Sequence, residues 1–405
     1  MTPEPKQSMR NEISMPSAIA EHLPEISERK LSREMTNTLA TPGSKTRITH
    51  LVELAIRGLE AMYDKEKGLF CHRLKQIPSG NIKEGISHRY TIMTLLGLLR
   101  AESAGYRSSV DIYAAIDALY RDTEWVDNIG DLGLLLWLSS VSSRRLDTFY
   151  ATFDLENALH NYSAARKRLT MELAWFLTGL TYASRAEEKQ RPYLEPLARQ
   201  TCTLLQSNQG RHGLFGHVAK WNSLAGAVRG HVGSFADQVY PICAMAQFGQ
   251  VFGMEEALQN SLQCANAICR LQGTLGQWWW HYDSATGRVV ERYPVYSVHQ
   301  HAMAPMALFA AQDACNADFS EQIYKGLKWI SGANELQQDL ENPAAGVIWR
   351  CIRPKKWASY ATRIRALVGE EQDLGAPEIL FECRPYELGW LLYAHARPGS
   401  TAIRA

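Results

Sequence analysis

Residues 272–278 read QGTLGQW and residues 209–215 read QGRHGLF; in both, a glutamine stands four positions before a glycine and an aromatic stands two after it. Each stretch closes a segment with a charged face, as in MEEALQNSLQCANAICRLQ over 254–272. Gly68-Leu69-Phe70 closes an earlier segment of the same kind, with His72 four residues past the glycine, as His217 is past Gly213. Gly346-Val347-Ile348-Trp349 is a weaker copy. Glycine permits the tight turn, and the aromatic can then lie over the end of a helical pair. Recurrence at a spacing of tens of residues marks a repeat architecture.

Outward from these turns, apolar residues recur at three and four positions from Thr49 onward, over segments of helix length. The segments 48–63, 109–121, 192–207, 254–272 and 319–331 carry a polar face and suit a layer touching water. Those at 88–104, 129–142, 167–186, 233–252 and 296–316 are apolar round most of their circumference, as in TIMTLLGLL, LGLLLWL and HAMAPMALFAA, and must be buried. Segments 146–160 and 385–397 bring the helices to twelve. Wet and dry helices in alternation predict an all-α fold with an inner ring wrapped by an outer ring. One short β-hairpin is expected near 277–295, where the turn signal SATG lies between aromatic and β-branched residues. Residues 1–46 hold five prolines and no sustained period, so they read as a loosely attached arm, with 47–405 as a single domain.

Composition narrows the function classes. The 405 residues carry 43 Lys plus Arg against 42 Asp plus Glu, a formal charge of +1, which lacks the basic excess of nucleic-acid binders. No apolar run approaches the roughly 20 residues of a membrane span, and the first residues lack a secretory signal pattern, so a cytoplasmic protein is expected. The eight cysteines form no C-x-x-C pair and read as reduced, small apolar side chains. No cofactor or metal is expected: His299 and His301 are two apart on a helix and diverge, and His281 with Asp283 lacks a third ligand.

Helical hairpins with apolar inner helices and Q-x-x-x-G-x-[FW] turns resemble the (α/α)6 toroids, a group that includes six-hairpin glycosidases, toroidal polysaccharide lyases and uronyl epimerases. The same turn resembles the glutamine-tryptophan repeats of terpenoid cyclases and the related prenyltransferases. The resemblance spans residues 48–397 and lies in organisation and turns; no catalytic signature matches. It implies an (α/α)6 barrel with a substrate funnel at the end where the inner helices begin.

Four loops entering those helices are rich in polar groups. The first runs from Trp278, Trp279, Trp280 and His281 through the hairpin to Glu291, Tyr296, His299 and Gln300, where indoles offer stacking faces for sugar rings. The second holds Arg229, His231, Ser234, Asp237 and Tyr240, with Ser234 placed to cap a helix. The third brings Glu84, His88, Arg89 and Tyr90 together, and the fourth Asp127 and Asp131, the former a cap and the latter a dipole partner in the plainer reading. Glu172, inside MELAWF, is a core hydrogen-bonding residue or a general acid with a raised pKa. A basic run of Arg350, Arg353, Lys355, Lys356, Arg363 and Arg365, interleaved with Trp349 and Trp357, would hold an acidic substrate if it folded over the funnel.

The reading that follows is a carbohydrate-active enzyme whose partner is an oligosaccharide or other small molecule. Hydrolysis would use Asp237 and Glu291 as the carboxyl pair, with Asp131 in reserve. Elimination or epimerisation at a uronate would draw on Tyr240, Tyr296, His231 and His299 for proton transfer, with Arg229 and Arg89 as cations. Trp278, Trp279, Trp280, Gln300, His88, Tyr90 and Asp131 complete the expected substrate contacts. A terpenoid cyclase is the alternative, weakened by the absence of any Asp-Asp pair, and a non-catalytic glycan- or protein-binding toroid is the third.

Overall fold

The computed structural model describes residues 42–164, 168–218, 229–355 and 375–397. Most of the expected arm therefore lies outside the described residues. The first helix, α1 (Pro42–Met62), begins six residues before its expected start at 48 and inside the span read as arm.

Five helical pairs follow α1. The buried members are α2 (His88–Ser103), α4 (Ile129–Ser142), α7 (Thr170–Ala186), α9 (Ala236–Phe252) and α11 (Ala304–Cys315), the last entered through a π turn at His299–Met303. The members facing water are α3 (Ile112–Leu119), the short pair α5 (Leu146–Thr152) and α6 (Leu155–Ala164), then α8 (Arg191–Gln206), α10 (Glu255–Arg270) and α12 (Ser320–Ile330). The last helix among the described residues is α13 (Pro385–His395), which is buried along almost its whole length. Each buried helix packs on the next in chain order, and α13 packs on both α11 and α2, closing a ring of six. Against it lie α1, α3, the α5–α6 pair, α8, α10 and α12. The fold is an (α/α)6 toroid.

Three features depart from the sequence reading. The sixth inner helix is α13, a segment whose ring was not assigned. The expected helix at 146–160 is two outer helices broken at Phe153. Residues 63–86, between the first outer and inner helices, form three antiparallel strands: β1 (Tyr63–Asp64) pairs β2 (Leu69–Ile77), and β2 pairs β3 (Gly80–Ile86) across the turn at Pro78-Ser79. The hairpin predicted near 277–295 is present. After β4 (Val232–Ser234), β5 (His281–Asp283) turns back into β6 (Arg288–Glu291), and β4 adds to it as a third antiparallel strand. A further sheet joins β7 (Val295–Tyr296), β10 (Cys351–Pro354) and β11 (Pro377–Leu380), while β8 (Glu341–Asn342) pairs β9 (Val347–Ile348) and β12 (Glu382–Cys383) edges β2.

The glycine turns join one outer helix to the next. Gln209 Nε2 donates to the Gly213 carbonyl at 2.9 Å and to the Asn260 carbonyl of α10 at 3.0 Å; Gln272 repeats this on Gly276 and on Gln322 of α12 at 3.0 and 2.9 Å. The aromatic two residues on is then clamped from the inner ring. Gln238 holds both backbone groups of Phe215, and Gln300 accepts from the Trp278 N–H at 3.2 Å. Gly276 has φ +96° and lies so close to α12 that a Cβ would sit 2.4 Å from the Lys325 carbonyl. The same contact closes the ring: Gly346 abuts Gly58 of α1, where an added Cβ would fall 1.9 Å from the Gly346 oxygen.

Two imidazoles are sealed between the last inner helices. Pro305 has no N–H to give the carbonyl of His301, and His395 Nε2 donates to that oxygen instead at 2.9 Å. Neither ring nitrogen of His301 has a partner among the described residues. Burial pushes His301 down to about 3 and His395 down to about 4, so both are neutral in the fold.

Two outcomes follow. Helix propensity alone favours Ala over Gly by about 1 kcal/mol, so Gly58→Ala should stabilise the protein if the ring-closing contact is immaterial. The geometry instead predicts a net loss of about 2–3 kcal/mol in urea unfolding, against about 1 kcal/mol for Gly253→Ala, whose φ of +64° is strained but whose surroundings are open. Below pH 6.5 the unfolded chain binds protons that these two buried imidazoles cannot, so stability should fall as pH falls. The loss is about 2 kcal/mol per imidazole between pH 7 and pH 5, and His301→Met should remove one such increment; an unchanged slope would contradict the assignment.

Candidate active site

A cavity of about 250 Å³ opens where the inner helices begin. Five of the six contribute first-turn residues: Arg89 and Tyr90 from α2, Met171 from α7, Ala236 from α9, His299 from the π turn and Tyr386 from α13. One turn deeper stand Trp175, Tyr240 and Met303. Trp280, just before β5, Tyr296, at the end of β7, and Arg350, just before β10, complete the far wall. The π turn places His299 and Met303, four apart, on the cavity together.

These side chains form one connected cluster. The Trp280 ring meets Tyr296 edge-on at 5.8 Å, and Tyr296 lies 5.2 Å from the His299 ring. The Arg350 guanidinium carbon stands 4.9 Å over Tyr296, and that of Arg89 5.6 Å over Trp175. Tyr90 packs 4.6 Å from Tyr386 and accepts from Arg384 at 2.8 Å. Tyr240 accepts from Trp390 Nε1 at 2.9 Å.

Among the described residues no carboxylate lines the cavity. The acids stand one layer back, each tied to a cation or donor. Asp131 takes a two-pronged bond from Arg89, at 2.5 and 2.8 Å. Glu387 pairs with Arg350, which also reaches Glu382 at 3.1 Å. Burial works against the Arg350 charge, but Glu387 and Glu382 outweigh it and hold the guanidinium well above the ordinary arginine value. Burial raises Asp131 although Arg89 opposes it. His299 is 6 % exposed, and burial pushes it down to about 3. Its Nδ1–H points to the Trp278 carbonyl at 3.4 Å, which leaves Nε2 as a bare acceptor. Burial also raises Tyr296 and Tyr240, keeping both as phenols.

The other expected site residues lie beside the cavity. Asp237 is buried beneath Ser234. Its Oδ2 accepts from the Ser234 N–H and hydroxyl at 2.8 and 2.9 Å and faces His217 Nδ1 at 3.1 Å, while Oδ1 has no partner among the described residues. Ser234 Oγ in turn accepts from the Asp237 N–H at 3.3 Å, so the expected cap is made as a reciprocal box. Glu291 is bound by Arg229 at 2.6 Å and His281 at 2.7 Å behind Trp280; burial acts upward on it, but those two partners draw it below the usual carboxylate range. His231 stands 4.0 Å from Asp283. Trp278 is fully buried against Phe235, and Trp279 donates its indole Nε1–H to the Leu271 carbonyl; of the three indoles only Trp280 lines the cavity. Gln300 is a backbone clamp, and His88 stacks on Trp125 at 5.3 Å outside the cavity. The cap of α4 is Asn128 rather than Asp127, since its Oδ1 accepts from both Gly130 and Asp131 N–H groups. Glu172 sits in the first turn of α7 beside Tyr162.

Sequence reasoning missed Trp175 and Tyr386 and treated Arg350 only as part of a basic run. Of that run, Trp349 is buried and Arg353 pairs with Glu378, while Lys356, Trp357, Arg363 and Arg365 lie outside the described residues. The signal for Tyr386 was available, because assigning 385–397 to the inner ring makes PYE a funnel-facing first turn.

Among the described residues no helix is long and apolar enough to cross a membrane, and no cluster of metal-ligating side chains forms. No family model and no curated protein matches the sequence. Solved structures match in fold. An unsaturated glucuronyl hydrolase specific for heparin is 15% identical over 87% of this chain and 95% of its own, with a TM-score of 0.54. The unsaturated glucuronyl hydrolase responsible for the degradation of glycosaminoglycan from Bacillus sp. GL1 is 12% identical over 86% and 96%, with a TM-score of 0.57. The unsaturated glucuronyl hydrolase of Streptococcus agalactiae is 12% identical over 87% and 91%, with a TM-score of 0.55. At such identities the similarity is one of fold: this chain shares the (α/α)6 toroid.

Proposed function

We propose that the chain is a carbohydrate-active enzyme whose substrate is an oligosaccharide with one uronate unit seated in the funnel. The observation that carries this reading is the cavity wall: two guanidiniums, two indoles, four tyrosines and a neutral imidazole, with no lining carboxylate among the described residues. A uronate would place a carboxylate on the cavity side of guanidiniums whose rear is held by Asp131, Glu382 and Glu387. Guanidinium forks match carboxylates in two-point geometry, and the convergent helix N-termini add favourable dipole ends. Trp280 offers an apolar face to a sugar ring. The three structures compared above are by name glucuronyl hydrolases, which supports a uronate as ligand.

The groups inside the cavity suit proton transfer beside a carboxylate. A base removes the proton from C5, the charge spreads into the carboxylate held by Arg89 and Arg350, and the leaving oxygen or the opposite face of C5 then receives a proton. Tyr296 and His299 are the proton carriers within reach of Arg350. Hydrolysis is the second reading, favoured by Asp237, whose Oδ1 has no partner among the described residues and which lies beneath Ser234 of the cavity wall. A terpenoid cyclase fits least, because two guanidiniums in the wall would raise the energy of a carbocation.

Incubation with uronate oligosaccharides separates these chemistries. Elimination creates a C4–C5 double bond seen in the ultraviolet, epimerisation incorporates solvent deuterium at C5, and hydrolysis releases reducing ends alone. Tyr296→Phe should lower kcat about 100-fold or more, and Arg89→Gln should raise KM about tenfold. If hydrolysis is the reaction, Asp237→Asn should abolish turnover and leave binding intact. Absence of any uronate binding, or an unchanged KM in Arg89→Gln, would overturn the proposal.

A further inference from the structure

A second cavity, of about 170 Å³, lies at the opposite end of the ring, where the inner helices finish. It shares Trp175 and Tyr240 with the funnel, and this T-shaped pair, with ring centroids 5.1 Å apart, separates the two. Its charged lining is unbalanced. Arg100 and Arg185 stand in the last turns of α2 and α7, and Arg397 follows α13. The single lining carboxylate among the described residues, Asp313, pairs with Arg397. Arg100 lies 4.5 Å over Tyr393 and Arg185 6.0 Å over Tyr182, and neither has a carboxylate partner among the described residues.

The cavity wall also carries unmet hydrogen-bonding capacity. The Tyr182 and Tyr393 hydroxyls bond to each other at 2.8 Å, and Gln247 Nε2 donates to Tyr182 at 3.3 Å. Gln247 Oε1, Trp137 Nε1 and Trp175 Nε1 are buried without a partner among the described residues, and all three side chains line this cavity. Arginines at helix C-termini ordinarily offset the negative dipole end. That half-charge offsets the two cations only in part, and it leaves the orphaned atoms unmet. Water would satisfy those atoms yet leave the guanidiniums without a full counter-charge; a hydroxylated anion satisfies both. The volume is below the roughly 300 Å³ at which pockets begin to hold drug-sized molecules, which limits the occupant to about one sugar unit.

We propose that this cavity binds a monosaccharide-sized hydroxylated anion, a sugar acid or sugar phosphate, with its charge between Arg100 and Arg185 and its hydroxyls on Gln247 and the two indole N–H groups. The site is distinct from the funnel and does not rest on the funnel's substrate. Titration calorimetry with D-glucuronate, glucose 6-phosphate and neutral glucose tests it. At least one of the two anions should bind saturably and glucose should not, the anion that binds identifying the acidic group. Arg185 is exposed, so Arg185→Gln should fold normally while weakening that binding about tenfold or more, and Arg89→Gln, in the funnel wall, should leave it intact. Binding of neither anion, or binding that Arg185→Gln leaves unchanged, overturns the proposal.

Discussion

The close approach of Gly346 to Gly58 is the constraint on which the architecture depends. Among the described residues the toroid has no central sheet and no covalent closure; four seams of its outer ring are made by glycine turns, Gly68 on α3, Gly213 on α10, Gly276 on α12 and Gly346 on α1. A chain of such contacts becomes a ring only if the last turn fits the first helix, and here backbone touches backbone at that seam. Once the ring closes, the inner helices are aligned, and their N-termini have to point into one cavity. The site is thus a consequence of closure, because loops that are far apart in sequence, at 89, 171, 236, 299 and 386, are delivered to the same mouth.

Electrostatics then shape what that mouth can take. First-turn acids recur on the inner helices, at Asp131, Glu172, Asp237 and Glu387, as the dipole favours. Asp131 and Glu387 are turned to arginines that reach the cavity wall, and Asp237 to Ser234 and His217. What faces the cavity is therefore the cation or the phenol, with the carboxylate behind it holding the cation in place. Arg350 shows the principle most clearly: only its acidic partners make a buried guanidinium tolerable.

Much of this was legible in the sequence. The alternation of wet and dry helices and the glutamine-glycine-aromatic turns carry the toroid because both are local patterns tied to burial and to backbone freedom. The funnel's position, and Arg89, Tyr90, Tyr240, Trp280, Tyr296 and His299 on its wall, follow from reading the first turns of inner helices. What escaped was pairing across the ring. Nothing near residue 237 in sequence says that His217 will face its carboxylate, nor does anything near 291 say that Arg229 and His281 will enclose it. Trp278 and Trp280 are two residues apart in one indole run, yet one is core and the other lines the cavity, because the Gln300 clamp fixes the backbone at Trp278. Arg350 was hidden for the same reason: its partners Glu382 and Glu387 lie more than thirty residues away, across residues outside the described structure.

The most direct test of the central claim is a crystal structure of the protein soaked with a saturated uronate disaccharide. The account predicts the sugar in the N-terminal funnel, its carboxylate within hydrogen-bond distance of Arg89 or Arg350 and a ring face on Trp280. A disaccharide found elsewhere, or one in the funnel with its carboxylate turned away from both guanidiniums, would contradict it.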